Sequence, residues 1–168
     1  RLCTGAVWSE GPAWMHEDQS LLWSDIPNNR MLRWSADSGM TVWRDGVEFT
    51  NGHVREAEGS LLHCSHGLRA VYRTAVDGSD RRIVVDAWEG RRFNSPNDIV
   101  VKSDGTIWFT DPPYGLIVPE EGHGGESFTP SVHFGEGQPP QFVRARVVGH
   151  VAFSTGGHVD AVDRLAVS

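Results

Sequence analysis

The sequence predicts an all-β chain, a β-propeller of four-stranded blades present as an incomplete arc of about three. Three observations predict it. First, Ser20-Leu21-Leu22-Trp23-Ser24-Asp25 recurs as Ser60-Leu61-Leu62-His63-Cys64-Ser65 and again as Thr106-Ile107-Trp108-Phe109-Thr110-Asp111, at offsets of 40 (20 to 60) and 46 (60 to 106). Four strands at a spacing of about 40–45 residues is the period of a propeller blade. Second, the 19 glycines and seven tryptophans make a turn-rich, aromatic-rich composition suited to sheets. Third, no stretch carries the apolar period of an amphipathic helix. A β-sandwich, which also has short strands between closely spaced turns, is the alternative. The in-register repeat favours the propeller.

The elements follow in order. In the first blade, Gly11-Pro12-Ala13-Trp14 supplies the inner strand and Glu17-Asp18-Gln19 the turn into the repeated strand. Residues 30–34 make a third strand, Asp37-Ser38-Gly39 a hairpin turn, and 41–44 a fourth strand. The second blade repeats the plan with Gly52-His53-Val54-Arg55, a turn at Glu58-Gly59, residues 60–65 and 70–74, a turn at Asp77-Gly78-Ser79, and 82–85. The third begins with 97–101, turns at Asp104-Gly105 and continues through 106–111. The repeat cannot be followed past about Gly125. All seven tryptophans lie at or before Trp108, and from Ser127 onward there is no Trp, Tyr, Asn, Lys, Met, Cys or Ile. Strands at 144–148 and 150–153 are still expected there.

At 168 residues the chain is long enough for one domain with a core. A net charge of -7 and pairs of arginines only at 81–82 and 91–92 argue against nucleic acid as partner and mildly favour a cation as ligand. No run approaches the roughly 18 apolar residues of a membrane span, and no signal-peptide pattern is visible, so no membrane partner and a cytoplasmic location are the expectations. Cys3 and Cys64 cannot make a disulfide framework; both read as buried, unreactive thiols.

A propeller directs its inner strands to a central channel, and the loops at one channel end converge. There the sequence offers Glu10 before Gly11-Pro12, Asn51 before Gly52, and Asn97-Asp98 after Pro96. Carboxylate and amide oxygens suit hard cations. From spacing alone, turn capping is the commoner role for an Asn before an Asp, with cation ligation the other. Pro96 lacks an N–H and fixes φ, which pre-sets the loop that carries Asn97. The cluster His63-Cys64-Ser65-His66 resembles zinc ligands in composition only. Strand alternation sends His63 and Cys64 to opposite faces, and no second pair completes a tetrahedron. Gly122-His123-Gly124-Gly125 lacks the lysine and helix of a phosphate loop and reads as an ordinary loop. No Gly-x-Ser-x-Gly elbow is present.

Several motifs together carry a family resemblance: Ser9-Glu10-Gly11-Pro12-Ala13-Trp14, Leu22-Trp23-Ser24-Asp25-Ile26-Pro27, Cys64-Ser65-His66-Gly67 and the run from Phe93 to Gly115. The chain resembles the superfamily of gluconolactonase, regucalcin (senescence marker protein) and luciferin-regenerating enzyme, closest to the bacterial gluconolactonase-like lactonases. The resemblance implies a six-bladed propeller that hydrolyses sugar lactones with one divalent metal, Ca²⁺ first, with Zn²⁺ or Mn²⁺ as alternatives. It implies Glu10 and Asn97 as metal ligands, with Asn97 also touching substrate. It implies Asp98 as a proton-handling neighbour, and Arg92 and His66 as substrate contacts. Two further ligands that the family draws from later blades have no counterpart after Gly125. The expectation is therefore that 1–126 is the N-terminal part of a propeller lactonase domain and 127–168 a divergent or frameshifted tail, with an incomplete site. The rival readings are a non-catalytic propeller that binds a partner through its loops, and a hydrolase of another lactone or ester-like substrate.

Overall fold

A computed structural model describes residues 3–88 and 90–117, together with the backbone of three later strands, 142–147, 150–155 and 165–166. The first sheet contains β1 (Ser9–Met15), β2 (Ser20–Asp25), β3 (Arg30–Ser35) and β4 (Gly39–Asp45), each antiparallel to the next. The second repeats that order with β5 (Thr50–Arg55), β6 (Leu61–Ser65), β7 (Ala70–Thr74) and β8 (Arg82–Val85). A short hairpin of β9 (Ala87–Trp88) and β10 (Arg91–Arg92) leads to β11 (Ile99–Val101) and β12 (Thr106–Thr110). A single helical turn, α1 (Tyr114–Ile117), follows. The strands expected from the repeat are all present, and the sheets succeed one another as blades of a β-propeller.

The backbone repeats as the sequence does. Gln19, Gly59 and Gly105 all adopt positive φ in the turn between the first and second strands of their sheets. Asn29 (φ 50°) and Arg69 (φ 53°), 40 residues apart, do so before the third strands. The third sheet is completed from the far end of the chain. β13 (Phe142–Val147) pairs with β12, β14 (His150–Thr155) pairs with β13, and β15 (Leu165–Ala166) with β14. This is why the repeat fades. The third strand begins five residues after β2 and β6 end (25 to 30, 65 to 70), but 32 residues after β12 ends (110 to 142). The predicted loop at Gly122-His123-Gly124-Gly125 lies outside the described residues.

Adjacent residues on β6 serve two cores, because side chains alternate across a strand. Leu61 packs with Met15, Leu22, Met31 and Val47 between the first and second sheets. Leu62 and Cys64 pack with Val71, Phe93, Ile99, Ile107 and Phe109 between the second and third. Phe93 meets Phe109 edge-on, with ring centres 5.2 Å apart. Cys64 is buried, and burial pushes its thiol well above the ordinary range. Cys3 corrects the expectation from sequence: it is exposed, on a segment ahead of the first strand. Among the described residues no helix is long and apolar enough to cross a membrane.

Candidate functional site

The loop entering each inner strand is tied to the end of the second strand in the same sheet: its last residue in the first two sheets, and the residue just after it in the third. Asp25 Oδ1 accepts hydrogen bonds from the Val7 and Trp8 amides (2.8 and 3.2 Å), and its Oδ2 from Asn28 and Arg30. Ser65 Oγ donates to Glu48 O (2.5 Å) and accepts from Leu68 N (3.0 Å). Asp111 accepts from the Asn94 amide (2.9 Å) and the Ser95 amide (2.8 Å) with separate oxygens. The two aspartates titrate differently. Burial raises both, but at Asp25 the donors outweigh it and hold the carboxyl below its usual range. At Asp111 burial prevails over the amides and Arg69, lifting the carboxyl to about 7.

With the loops fixed, the inner strands approach at glycines. A Cβ on Gly11 would lie 2.4 Å from Asn51 O, and one on Gly52 would lie 2.5 Å from Asn97 O. Gly52 N donates to Asn97 O at 2.7 Å. Bulges interrupt β1 between Glu10 and Ala13, and β5 between Thr50 and His53. A bulge re-aims the side chains it carries. Glu10, the last paired residue before the β1 bulge, and Asn51, the first residue within the β5 bulge, each come just before a contact glycine on neighbouring strands. Asn97 lies where β5 meets the start of the third sheet.

His66 lies beneath the two asparagines. It is 1% exposed, and its Nε2 is 3.1 Å from Asn51 Nδ2 and 3.5 Å from Asn97 Nδ2. Gly115 seats against it: a Cβ there would lie 2.9 Å from both His66 Cβ and Ser95 Oγ, and Gly115 N donates to that Oγ at 2.8 Å. The Asn-Ser-Pro-Asn-Asp and Asp-Pro-Pro-Tyr-Gly motifs thus close on each other around this histidine.

A buried polar chain reaches the same place from below. Thr74 Oγ1 lies 2.9 Å from His63 Nε2, His63 Nδ1 3.0 Å from His53 Nδ1, and His53 Nε2 2.9 Å from Ser24 Oγ. Ser24 Oγ donates to Asn51 O at 2.9 Å. That last bond fixes the direction of the rest. Ser24 accepts from His53 Nε2–H, so neutral His53 accepts at Nδ1 from His63, which accepts at Nε2 from Thr74. Burial drives His53 down to about 3 and His63 well below its ordinary value, so both are neutral links. His63 also stacks on Tyr72, with ring centres 4.6 Å apart.

The residues singled out from sequence fall into two groups. Glu10, Asn97 and His66 lie on or beside the three converging strands. Glu10 is exposed, with Oε1 accepting from Trp8 Nε1 at 3.0 Å; it also borders a mainly apolar cleft of about 430 Å³ with Trp23, Trp34 and Met40. Asp98 is exposed, and its Oδ1 accepts from Ile99 N at 2.9 Å. Arg92 stands apart on β10, exposed, its guanidinium donating to Leu68 O at 2.8 Å. Sequence reasoning assigned no role to Asp111, although the repeat aligns it with Asp25. It also left Asn51 outside the proposed ligand set, although the 41-residue step from Glu10-Gly11 to Asn51-Gly52 marks it.

The chain is similar to known proteins over most of its described length. Residues 8–128 match the SMP-30/Gluconolactonase/LRE-like region family. A gluconolactonase from Zymomonas mobilis is 36% identical over 122 residues, covering 65% of this chain and 34% of that protein. The solved gluconolactonase from Xanthomonas campestris is 38% identical with a TM-score of 0.76, covering 92% of this chain and 48% of that one. Regucalcin from Agrobacterium tumefaciens, described as a calcium-binding protein, shares the fold at 13% identity and a TM-score of 0.59 over 89% of this chain and 43% of its own. The chain spans about a third to a half of the length of these relatives. By the extent of the family match, this chain belongs to the SMP-30/Gluconolactonase/LRE-like family.

Proposed function

We propose that the chain carries one part of a divalent-metal-dependent site for hydrolysing sugar lactones, in the manner of a gluconolactonase. The observation that carries this reading is the placement of Glu10 and Asn97 at the converging ends of the inner strands, in a chain 36–38% identical to gluconolactonases. The donor chemistry fits a hard cation such as Ca²⁺, with Mn²⁺ or Zn²⁺ as alternatives. Among the described residues, Glu10 Oε2 and Asn97 Oδ1 have no hydrogen-bond partner, and no three His, Cys, Asp or Glu side chains are grouped so as to hold a metal ion by themselves. A cation held there supplies Lewis-acid polarisation of the lactone carbonyl.

The chain's own residues then have distinct tasks. Asn97 presents its amide to the ligand, and His66 holds that amide in place. Asp98 has Oδ1 committed to Ile99 N, which leaves Oδ2 to take a proton from an attacking water. Arg92, anchored on the Leu68 carbonyl, would meet sugar hydroxyls only by leaving that bond. One carboxylate and an amide make a weak site, so Mn²⁺ binding at roughly millimolar concentration is expected.

The test is hydrolysis of D-glucono-1,5-lactone, and Mn²⁺ binding, by the 168-residue chain and its Glu10→Ala variant. Binding and slow metal-dependent turnover that both fall in the variant support the reading. Absence of Mn²⁺ binding, or binding indifferent to Glu10→Ala, overturns it.

A further inference from the structure

We propose that Asn51 is a further oxygen ligand of this site, and that His66 is the positioning residue that aims Asn51 and Asn97 together. The inference rests on the metal-site reading above and extends it to residues on a third strand.

An amide nitrogen only donates, so His66 Nε2, facing two of them, must accept. The imidazole proton then belongs on Nδ1. A planar amide that points its nitrogen at His66 carries its oxygen on the opposite branch. Both Asn51 Oδ1 and Asn97 Oδ1 are thereby turned away from His66, and neither has a hydrogen-bond partner among the described residues. For Asn51 this matters most. The residue as a whole is only 4% exposed, yet its side-chain oxygen is not sealed from solvent, so it stays open to a ligand.

Position supports the same conclusion. Asn51 is the first unpaired residue of the β5 bulge, and Glu10, paired with Ser24, is the last paired residue before the β1 bulge. Glu10 precedes the glycine that packs on the Asn51 carbonyl, and Asn97 supplies the carbonyl on which Gly52 packs. Asn51 is thus between the two proposed ligands along the row of inner strands. Its backbone is locked by Ser24 Oγ at the end of the polar chain from Thr74, so the side chain extends from a fixed point. Two amide oxygens and one carboxylate form an all-oxygen set suited to a hard divalent cation.

The experiment has two arms on the whole chain. Long-range ¹H–¹⁵N NMR of the imidazoles reads the His66 tautomer without any ligand. A proton on Nδ1 and a bare Nε2 are expected; a proton on Nε2 reverses the amide orientation and overturns the positioning role. In the second arm, free Mn²⁺ is followed by EPR. Asn51→Leu should weaken binding roughly tenfold, and Asn51→Asp, nearly isosteric, should tighten it. His66→Phe should weaken binding roughly tenfold, and His66→Gln, whose side-chain oxygen can accept from both amides, should restore most of it. If Glu10→Gln abolishes binding while both Asn51 variants bind as the parent does, the metal-site reading stands and this inference fails. If Glu10→Gln has no effect, the metal-site reading itself fails. Equal weakening by His66→Phe and His66→Gln leaves His66 a packing residue and removes its positioning role.

Discussion

Replacing Gly52 with alanine tests whether the site is assembled by direct contact between inner strands. The added Cβ would lie 2.5 Å from Asn97 O, 2.8 Å from Asp98 Cα and 3.1 Å from Asp98 Oδ1. Two of these neighbours are backbone atoms, so no rotamer change relieves the overlap. Ordinary contact needs about 3.4 Å, so the strands must part by roughly 0.9 Å, the difference from the 2.5 Å contact. The Gly52 N–Asn97 O bond, 2.7 Å in the parent, then stretches to about 3.6 Å and is lost. Overpacking of this kind costs about 1–3 kcal/mol and the broken buried bond about 1 kcal/mol more, giving about 2–4 kcal/mol. The assay is urea unfolding at pH 7, read as a lower midpoint at constant slope. Gly39→Ala is the comparison, since nothing lies within 4 Å of its Cβ and only its positive φ (65°) is strained, at about 1 kcal/mol. A Gly52→Ala loss no larger than that of Gly39→Ala would refute the strand-contact argument.

Three further outcomes follow from the buried polar groups. His53, near 3 when folded, and His63, also well below its ordinary value, stay neutral where the unfolded chain takes up protons. Stability should therefore fall as pH drops below about 6.5, by up to about 1.4 kcal/mol per pH unit for each histidine that stays neutral; urea midpoints at pH 7, 6 and 5 check this, and His53→Gln should flatten the profile. Asp111 has the opposite sign: its folded carboxyl is near 7 against an ordinary 3.8, so it contributes stability at low pH that is lost as pH rises through that window. Asp111→Asn should consequently steepen the fall of stability on acidification relative to the parent, and an unchanged profile would show that the carboxyl is ionised throughout. Gly115→Ala, which crowds His66 Cβ and Ser95 Oγ at 2.9 Å, should cost about 1–3 kcal/mol and weaken Mn²⁺ binding, measured by urea unfolding and EPR; unchanged affinity would separate that loop from the site.

The repeat made the first two sheets and the β11–β12 hairpin legible, because identical strand lengths and turns recur at a fixed step. β13 was harder to place, since its pairing with β12 spans 32 residues without a local signal. The place of Glu10 and Asn97 at the converging loop ends could be read from the repeat, while their expected ligand roles came only from the family resemblance. The partners of His66 could not be read either way. Asn51 and Asn97 lie 15 and 31 residues away on different strands, and only the folded row of inner strands brings them together. The polar chain through His53 was hidden for the same reason, since each of its links joins a different strand.

Equivalent positions in successive blades have been given different work, and the difference is chemical. Asp25, Ser65 and Asp111 share one address and one task, because each must satisfy the amides or carbonyls of the loop that enters an inner strand. Glu10 and Asn51 share another address, the position just before a contact glycine at a strand bulge, but differ in charge. A carboxylate at both positions would place two like charges on adjacent strands that meet at backbone contact, which costs stability unless a cation is always present. An amide at Asn51 keeps the oxygen without the charge. It also offers an N–H₂ that a neutral histidine can hold, which a carboxylate cannot. The pairing of Glu10 with Asn51, instead of with a second acid, is therefore what allows His66 to lie beneath the site as an acceptor, and Asn51→Asp should weaken the hold of His66 on this strand even as it strengthens the cation's.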